Sequence, residues 1–167
     1  RQKGHMPVQI AVIGPGSCSP GEAVAAERVG RCIARKGAIL ICGGLSGVME
    51  AACRGAREES GTTVGIIPGN VGENPHLSFI VRSGLGHARN MVLIQSSDAV
   101  VAIGGRYGTL SEIAAALKMG ITVAGYHTWE IPGVTRCITP EEAVREACFA
   151  AARYRKNHTR QAAEGSP

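Results

Sequence analysis

A short apolar run, a glycine-rich turn and then a helical pattern recur three times in this chain. No other feature narrows its possible folds as much. The clearest copy is residues 97–120, S-D-A-V-V-A-I-G-G-R-Y-G-T-L-S-E-I-A-A-A-L-K-M-G. Residues 100–103 have the length and β-branching of a strand buried on both faces. Gly104, Gly105 and Gly108 let the chain turn sharply and let another molecule approach its backbone. A helix is predicted from Thr109, with Ile113 and Leu117 on its apolar stripe and Glu112 in its first turn. A helix N-terminus opening out of such a turn carries unpaired N–H groups and about half a positive charge, which suits a phosphate.

The other copies follow residues 8–13, with Gly14, Gly16 and Ser17, and residues 38–42, with Gly43, Gly44, Ser46 and Gly47. Ser19, Pro20 and Glu22 begin a helix that runs to about Lys36 and stops at Gly37. A second helix carries Val48, Met49, Ala52 and Ala56. Further strands are predicted over 63–67, 79–81, 121–125 and 134–138, and a helix over 86–96. Thr139 to Glu142 cap a last helix that fades after Tyr154. Strand–crossover–strand units in series imply an α/β fold, a Rossmann-like doubly wound and mostly parallel sheet with helices on both faces. Ligands of such sheets lie beyond the carboxyl ends of the strands, where all three glycine loops fall. Residues 7–156 form one such domain. Residues 1–6 read as a cloning remnant or disordered, and 157–167 as a frayed tail.

Several functions are disfavoured. The first loop, G-P-G-S-C-S, lacks the third glycine of the dinucleotide fingerprint, and no acid ends the second strand to hold a ribose. There is no G-x-x-x-x-G-K-[S/T] and no G-x-S-x-G. The net charge of +5 comes from scattered residues and from Arg153, Arg155, Lys156 and Arg160, with no interleaved aromatics. That pattern suits an anionic small molecule and gives no sign of a nucleic acid polymer. No apolar run approaches the ~20 residues of a membrane span. The six cysteines form no C-x-x-C and no zinc spacing, so no metal site is expected and the expected setting is a reducing cytoplasm.

These residues together resemble the "lonely guy" family, also labelled lysine decarboxylase-like, whose wider superfamily includes molybdenum-cofactor carrier proteins. The family signature P-G-G-x-G-T-x-x-E falls on Gly104 to Glu112, and its preceding R-K pair on Arg89 and Asn90. The second loop and Val64 to Pro68 also look like the family. The resemblance implies binding of a phosphorylated, AMP-like small molecule and hydrolysis of the N-glycosidic bond of a nucleoside 5′-monophosphate. Arg89 and Glu112 would be the catalytic pair. Gly108 and Thr109 would hold the 5′-phosphate. Apart from the resemblance, close backbone approach makes Gly105 and the first two loops candidate ligand contacts, and Arg106 is either a phosphate contact or a solvated loop charge. The resemblance also implies a homo-oligomer, a dimer or tetramer, with no cofactor required. The signature's proline is Gly104 here, its second glycine is Arg106, and the paired lysine is Asn90. This spelling is closer to the carrier-like branch, which implies an alternative: a non-catalytic carrier or sensor of a phosphorylated cofactor such as the molybdenum cofactor.

Two residues carry rival readings. Thr109-x-x-Glu112 also spells a capping box, the device used at Ser19-x-x-Glu22 and Thr139-x-x-Glu142. Arg89, close to a helix start, works against the dipole, so either an anionic ligand or a salt bridge to Asp98 or Glu112 must account for it.

Overall fold

The computed structural model describes residues 6–164, with side chains to residue 159. Of the expected remnant at residues 1–6, residues 1–5 lie outside that range, as do the last three residues. Seven strands form one parallel sheet: β1 (Gln9–Ile13), β2 (Ile39–Cys42), β3 (Thr63–Ile67), β4 (Phe79–Arg82), β5 (Ala99–Ile103), β6 (Val123–Tyr126) and β7 (Val134–Cys137). Their spatial order is β4-β3-β2-β1-β5-β6-β7, every pairing parallel. This is the doubly wound Rossmann-like architecture expected.

Five helices cover the sheet: α1 (Pro20–Arg35), α2 (Val48–Glu58), α3 (Arg89–Gln95), α4 (Tyr107–Lys118) and α5 (Pro140–Glu164). The two-residue period of the strands sorts the core into two layers. Ile10, Val12, Leu40, Val101 and Ile103 pack against α1, α2 and α5. Ala11, Ile13, Ile41, Val100 and Ala102 pack against α3 and α4. All five residues of β5 are buried, as an unbroken apolar run at the centre of a covered sheet should be.

Strand order reverses between β1 and β5, so a crevice opens between their carboxyl ends. The three strands followed by glycine loops, β2, β1 and β5, are neighbours at the middle of the sheet. The first two loops are laced together: Val48 N–H donates to Pro15 O at 3.1 Å, and Ser46 Oγ to Gly16 O at 2.8 Å.

Several element boundaries depart from the sequence reading, β6 among them, which starts two residues after the expected 121. The helix expected over 86–96 is a 3-10 turn, Gly86–Ala88, followed by α3. α4 begins at Tyr107, two residues before Thr109, because the turn is already complete at Gly104 and Gly105, whose φ angles are +55° and +110°. α5 continues to Glu164 rather than fading after Tyr154. Arg155, inside that extension, pairs with Asp98 at 2.8 Å and donates to Met6 O at 3.0 Å, tying the helix back to the start of β1.

Candidate functional site

Arg89 is the first residue of α3 and Glu112 lies in the second turn of α4, two helices packed on the same face of the sheet. The two side chains meet at the mouth of the β1/β5 crevice, Nη1 to Oε1 at 4.0 Å, each residue only 8% exposed. That separation is the outer limit of an ion pair and leaves the two groups without a direct hydrogen bond. Arg89 Nη1 donates instead to Asn90 Oδ1, and Arg89 Nε has no partner at all although it is buried. A buried guanidinium with an idle N–H is costly unless something fills the gap. A planar fork of this kind fits phosphate or carboxylate oxygens.

The electrostatics point the same way. Burial pushes the Glu112 carboxyl up to about 7, against the opposing pull of Arg89. Burial also lowers the affinity of Arg89 for its proton, an effect Glu112 partly offsets; from its high starting point the guanidinium stays charged. Near neutral pH the pair therefore carries net positive charge, and Glu112 can both give and take a proton.

The sequence reading puts Glu112 in the first turn, where the helix dipole would favour its ionised form. With α4 starting at Tyr107, Glu112 sits a turn deeper, beyond the dipole's reach. The capping box is also absent. The N-cap is Arg106, no side chain caps α4, and Thr109 is buried with its side chain against Gly105, where a Cβ would collide with it. The first N–H groups of α4 thus have no side chain capping them. The alternative partner for Arg89, Asp98, is engaged elsewhere: its Oδ2 accepts from Gln9 N–H at 2.7 Å and pairs with Arg155.

A cleft of about 370 Å³ surrounds the pair, lined among others by Gly14, Gly16, Ser17, Gly43, Arg106, Gly108 and Thr109. Gly43 leaves room for the pair: a Cβ would stand 2.7 Å from Arg89 Nη2 and 2.9 Å from Met49 Sδ. Gly105 borders the neighbouring hollow rather than this one. Gly44, Ser46 and Gly47 do not line the cleft. Gly44 lies over Ile67 and is held through its carbonyl by Asn74 N–H, while Ser46 and Gly47 pack on the backbone of the first loop. Their place is behind the wall, shaping it.

Met49, Leu45 and Val12 supply an apolar wall that no local pattern marks as part of a site. Val12 and Met49 sit at positions that periodicity reads as core, and Leu45 lies inside the second glycine loop. His87 stands exposed at the rim. The cysteines are free thiols, and Cys42 and Cys53 lie buried with their sulfurs 3.5 Å apart behind the second loop.

The chain belongs to the SLOG cluster4 family, whose model matches residues 7–156. It is 46% identical to an uncharacterized protein of Archaeoglobus fulgidus over 139 residues, which is 82% of this chain and 92% of that one. It is 34% identical over 106 residues to a rice (Oryza sativa subsp. japonica) protein named "Probable cytokinin riboside 5'-monophosphate phosphoribohydrolase LOGL5". That match spans 57% of this chain and 42% of the rice protein. Among solved structures, the molybdenum cofactor binding protein of the phototrophic bacterium Rippkaea orientalis superposes with a TM-score of 0.80 at 33% identity. That superposition covers 84% of this chain and 95% of that one.

Proposed function

We propose that this SLOG cluster4 protein binds a phosphorylated heterocyclic small molecule in the Arg89–Glu112 cleft and hydrolyses the N-glycosidic bond of a nucleoside 5′-monophosphate. The observation that carries this reading is the buried, unpartnered Nε of Arg89 beside a carboxyl that titrates near 7. The 5′-phosphate sits against the open N-terminus of α4 at Gly108 and Thr109, with Arg89 closing over phosphate or ribose oxygens. The base lies on Met49 and Leu45. As the bond from C1′ to the base nitrogen breaks, positive charge builds on the ribose and Glu112 delivers its proton to the departing base. The resulting carboxylate stabilises the sugar cation and takes a proton from the water whose oxygen joins C1′. Free base and ribose 5-phosphate result, one water is consumed and Glu112 ends protonated as it began. Neither step calls on a metal. The likeness to the rice protein supports this reading.

A second reading is favoured by Arg106, an exposed cation where the related signature has a glycine, and by the near full-length likeness to the Rippkaea orientalis protein. In it the cleft holds a phosphorylated cofactor such as the molybdenum cofactor as cargo and turns nothing over. Incubation with AMP and with a cytokinin riboside monophosphate, with chromatography for free base, separates the two. Release that disappears in Glu112→Ala supports hydrolysis, and tight retention without release supports the carrier.

The protein is further proposed to act in the cytoplasm, where its six thiols stay reduced. It is also proposed to act as a dimer or tetramer. The exposed apolar residues Phe79 and Val81 on β4, with Met91 and Val92 on α3, offer a face for a second copy beside the site.

A further inference from the structure

The cleft does not end at Arg106. A hollow of about 360 Å³ lies beyond it and shares Pro15, Ser17 and Arg106 with it. Another, of about 380 Å³, shares Glu22 and Gly105 with that hollow and reaches Thr128 and Trp129. The three hollows adjoin through these shared residues and follow the carboxyl edge of the sheet from the β2 loop past β1 and β5 to the β6 loop, a trough in three adjoining parts.

The chemistry changes along the trough in a consistent order. Arg106 lines both the main cleft and the hollow beyond, and it forms no ion pair among the described residues. A free guanidinium at that junction suits a second phosphate. Next comes Glu22. Its Oε2 accepts the Ser19 N–H at 2.8 Å, which fixes the carboxylate and leaves Oε1 beside Gly104. A held carboxylate with one idle oxygen is an acceptor for the paired hydroxyls of a ribose.

Last is Trp129, whose Nε1 donates to Arg106 O at 3.0 Å and whose ring stands 5.9 Å from that of Tyr107. Thr128 Oγ1 anchors the same loop to Gly104 O at 2.5 Å. The indole is thereby held against the trough wall, half-buried and still open to stacking.

We propose that the trough seats a two-part ligand, a diphosphate-bridged dinucleotide whose first half occupies the Arg89–Glu112 cleft and whose second ribose and ring lie over Glu22 and Trp129. This rests on the phosphate reading above and extends it from a mononucleotide to a molecule twice as long. The missing dinucleotide fingerprint in the first loop is no obstacle, because Glu22 on α1 supplies the diol acceptor that the end of β2 lacks.

The test compares AMP with P1,P2-di(adenosine-5′) diphosphate by calorimetric titration and by emission of Trp129, the chain's one tryptophan. The expected result is about tenfold tighter binding of the dinucleotide, in the range for one stacked base, with quenching that AMP does not produce. Trp129→Phe and Glu22→Gln should each take away at least half of that tenfold advantage and leave AMP affinity unchanged. Glu22→Gln keeps the helix cap while removing the charge, so tighter binding in that variant would mean Glu22 merely repels phosphate, and the diol role falls. If AMP binds in an Arg89-dependent way while the dinucleotide gains nothing and leaves the indole unquenched, the trough proposal is overturned and the phosphate reading stands. If neither ligand binds, both are overturned.

Discussion

Arg89 and Glu112 stand 4.0 Å apart with a guanidinium nitrogen left idle between burial and its partner. A structural ion pair in so dry a place would close to hydrogen-bonding distance and satisfy every donor. This one does neither, and the proposed ligand would supply the missing partner.

Arg89→Met should therefore cost ligand and spare the fold. Loss of a charge-assisted contact to phosphate is worth about 1.5–3 kcal/mol, so AMP affinity should fall by roughly 10- to 100-fold. The melting temperature should hold or rise, since an incompletely paired buried cation is removed and Glu112 can remain neutral. Titration calorimetry and thermal melts on the same preparation check both halves. A large fall in melting temperature would make Arg89 structural.

Asp98→Ala should do the reverse. Its carboxylate bonds the Gln9 N–H and pairs with Arg155, joining β1, the start of β5 and α5. Breaking a largely buried pair costs on the order of 3 kcal/mol, or roughly 6–12 °C in a domain of this size. AMP affinity should stay within twofold once the variant is folded, as calorimetry below its melting point would show.

Glu112 makes stability depend on pH. Its carboxyl is raised from 4.5 to about 7 in the folded protein, so the folded state holds a proton that the unfolded chain releases. The stabilisation is fully present below about 4.5 and is lost as pH climbs through 7. Glu112→Gln should match the native protein near pH 4.5 and exceed it at pH 8 by up to about 3 kcal/mol. Denaturant titrations across that range read the difference directly. If Glu112 is the proton donor, kcat/KM for base release should also fall above about pH 7.

The sequence shows clearly what depends on neighbours in the chain and shows less of what depends on burial. Residues 63–67 have the bounds of β3 because Pro68 ends an unambiguous β-branched run. The glycine loops are visible because a buried strand must turn before a helix can cover it. Thr109-x-x-Glu112 misled because the same spelling caps one helix at Ser19 and begins another after Thr139. Only the φ angles of Gly104 and Gly105 show that α4 starts earlier. The affinity of Glu112 for its proton, the idle Nε of Arg89 and the Asp98–Arg155 pair all arise from contacts between distant elements, which no local pattern encodes. Met49 was hidden for a related reason, since a residue that floors a cleft has the same periodicity as one in the core.

Gly43→Ala tests whether the wall of the cleft fixes Arg89. The backbone there does not lie in the left-handed region, so alanine is tolerable in itself. Its Cβ, however, would stand 2.7 Å from Arg89 Nη2 and 2.9 Å from Met49 Sδ. Both obstacles are ends of flexible side chains, and methionine adapts readily, so the stability cost should stay under about 2 kcal/mol. The guanidinium has less freedom: Asn90 holds Nη1, and the way out of the new methyl's path is toward Glu112 or into the cleft. AMP affinity should fall about tenfold, the ordinary cost of a misplaced charge-assisted contact, with a small change in melting temperature. Unchanged affinity would mean that the position of Arg89 does not govern binding, and the phosphate would have to be held by α4 alone.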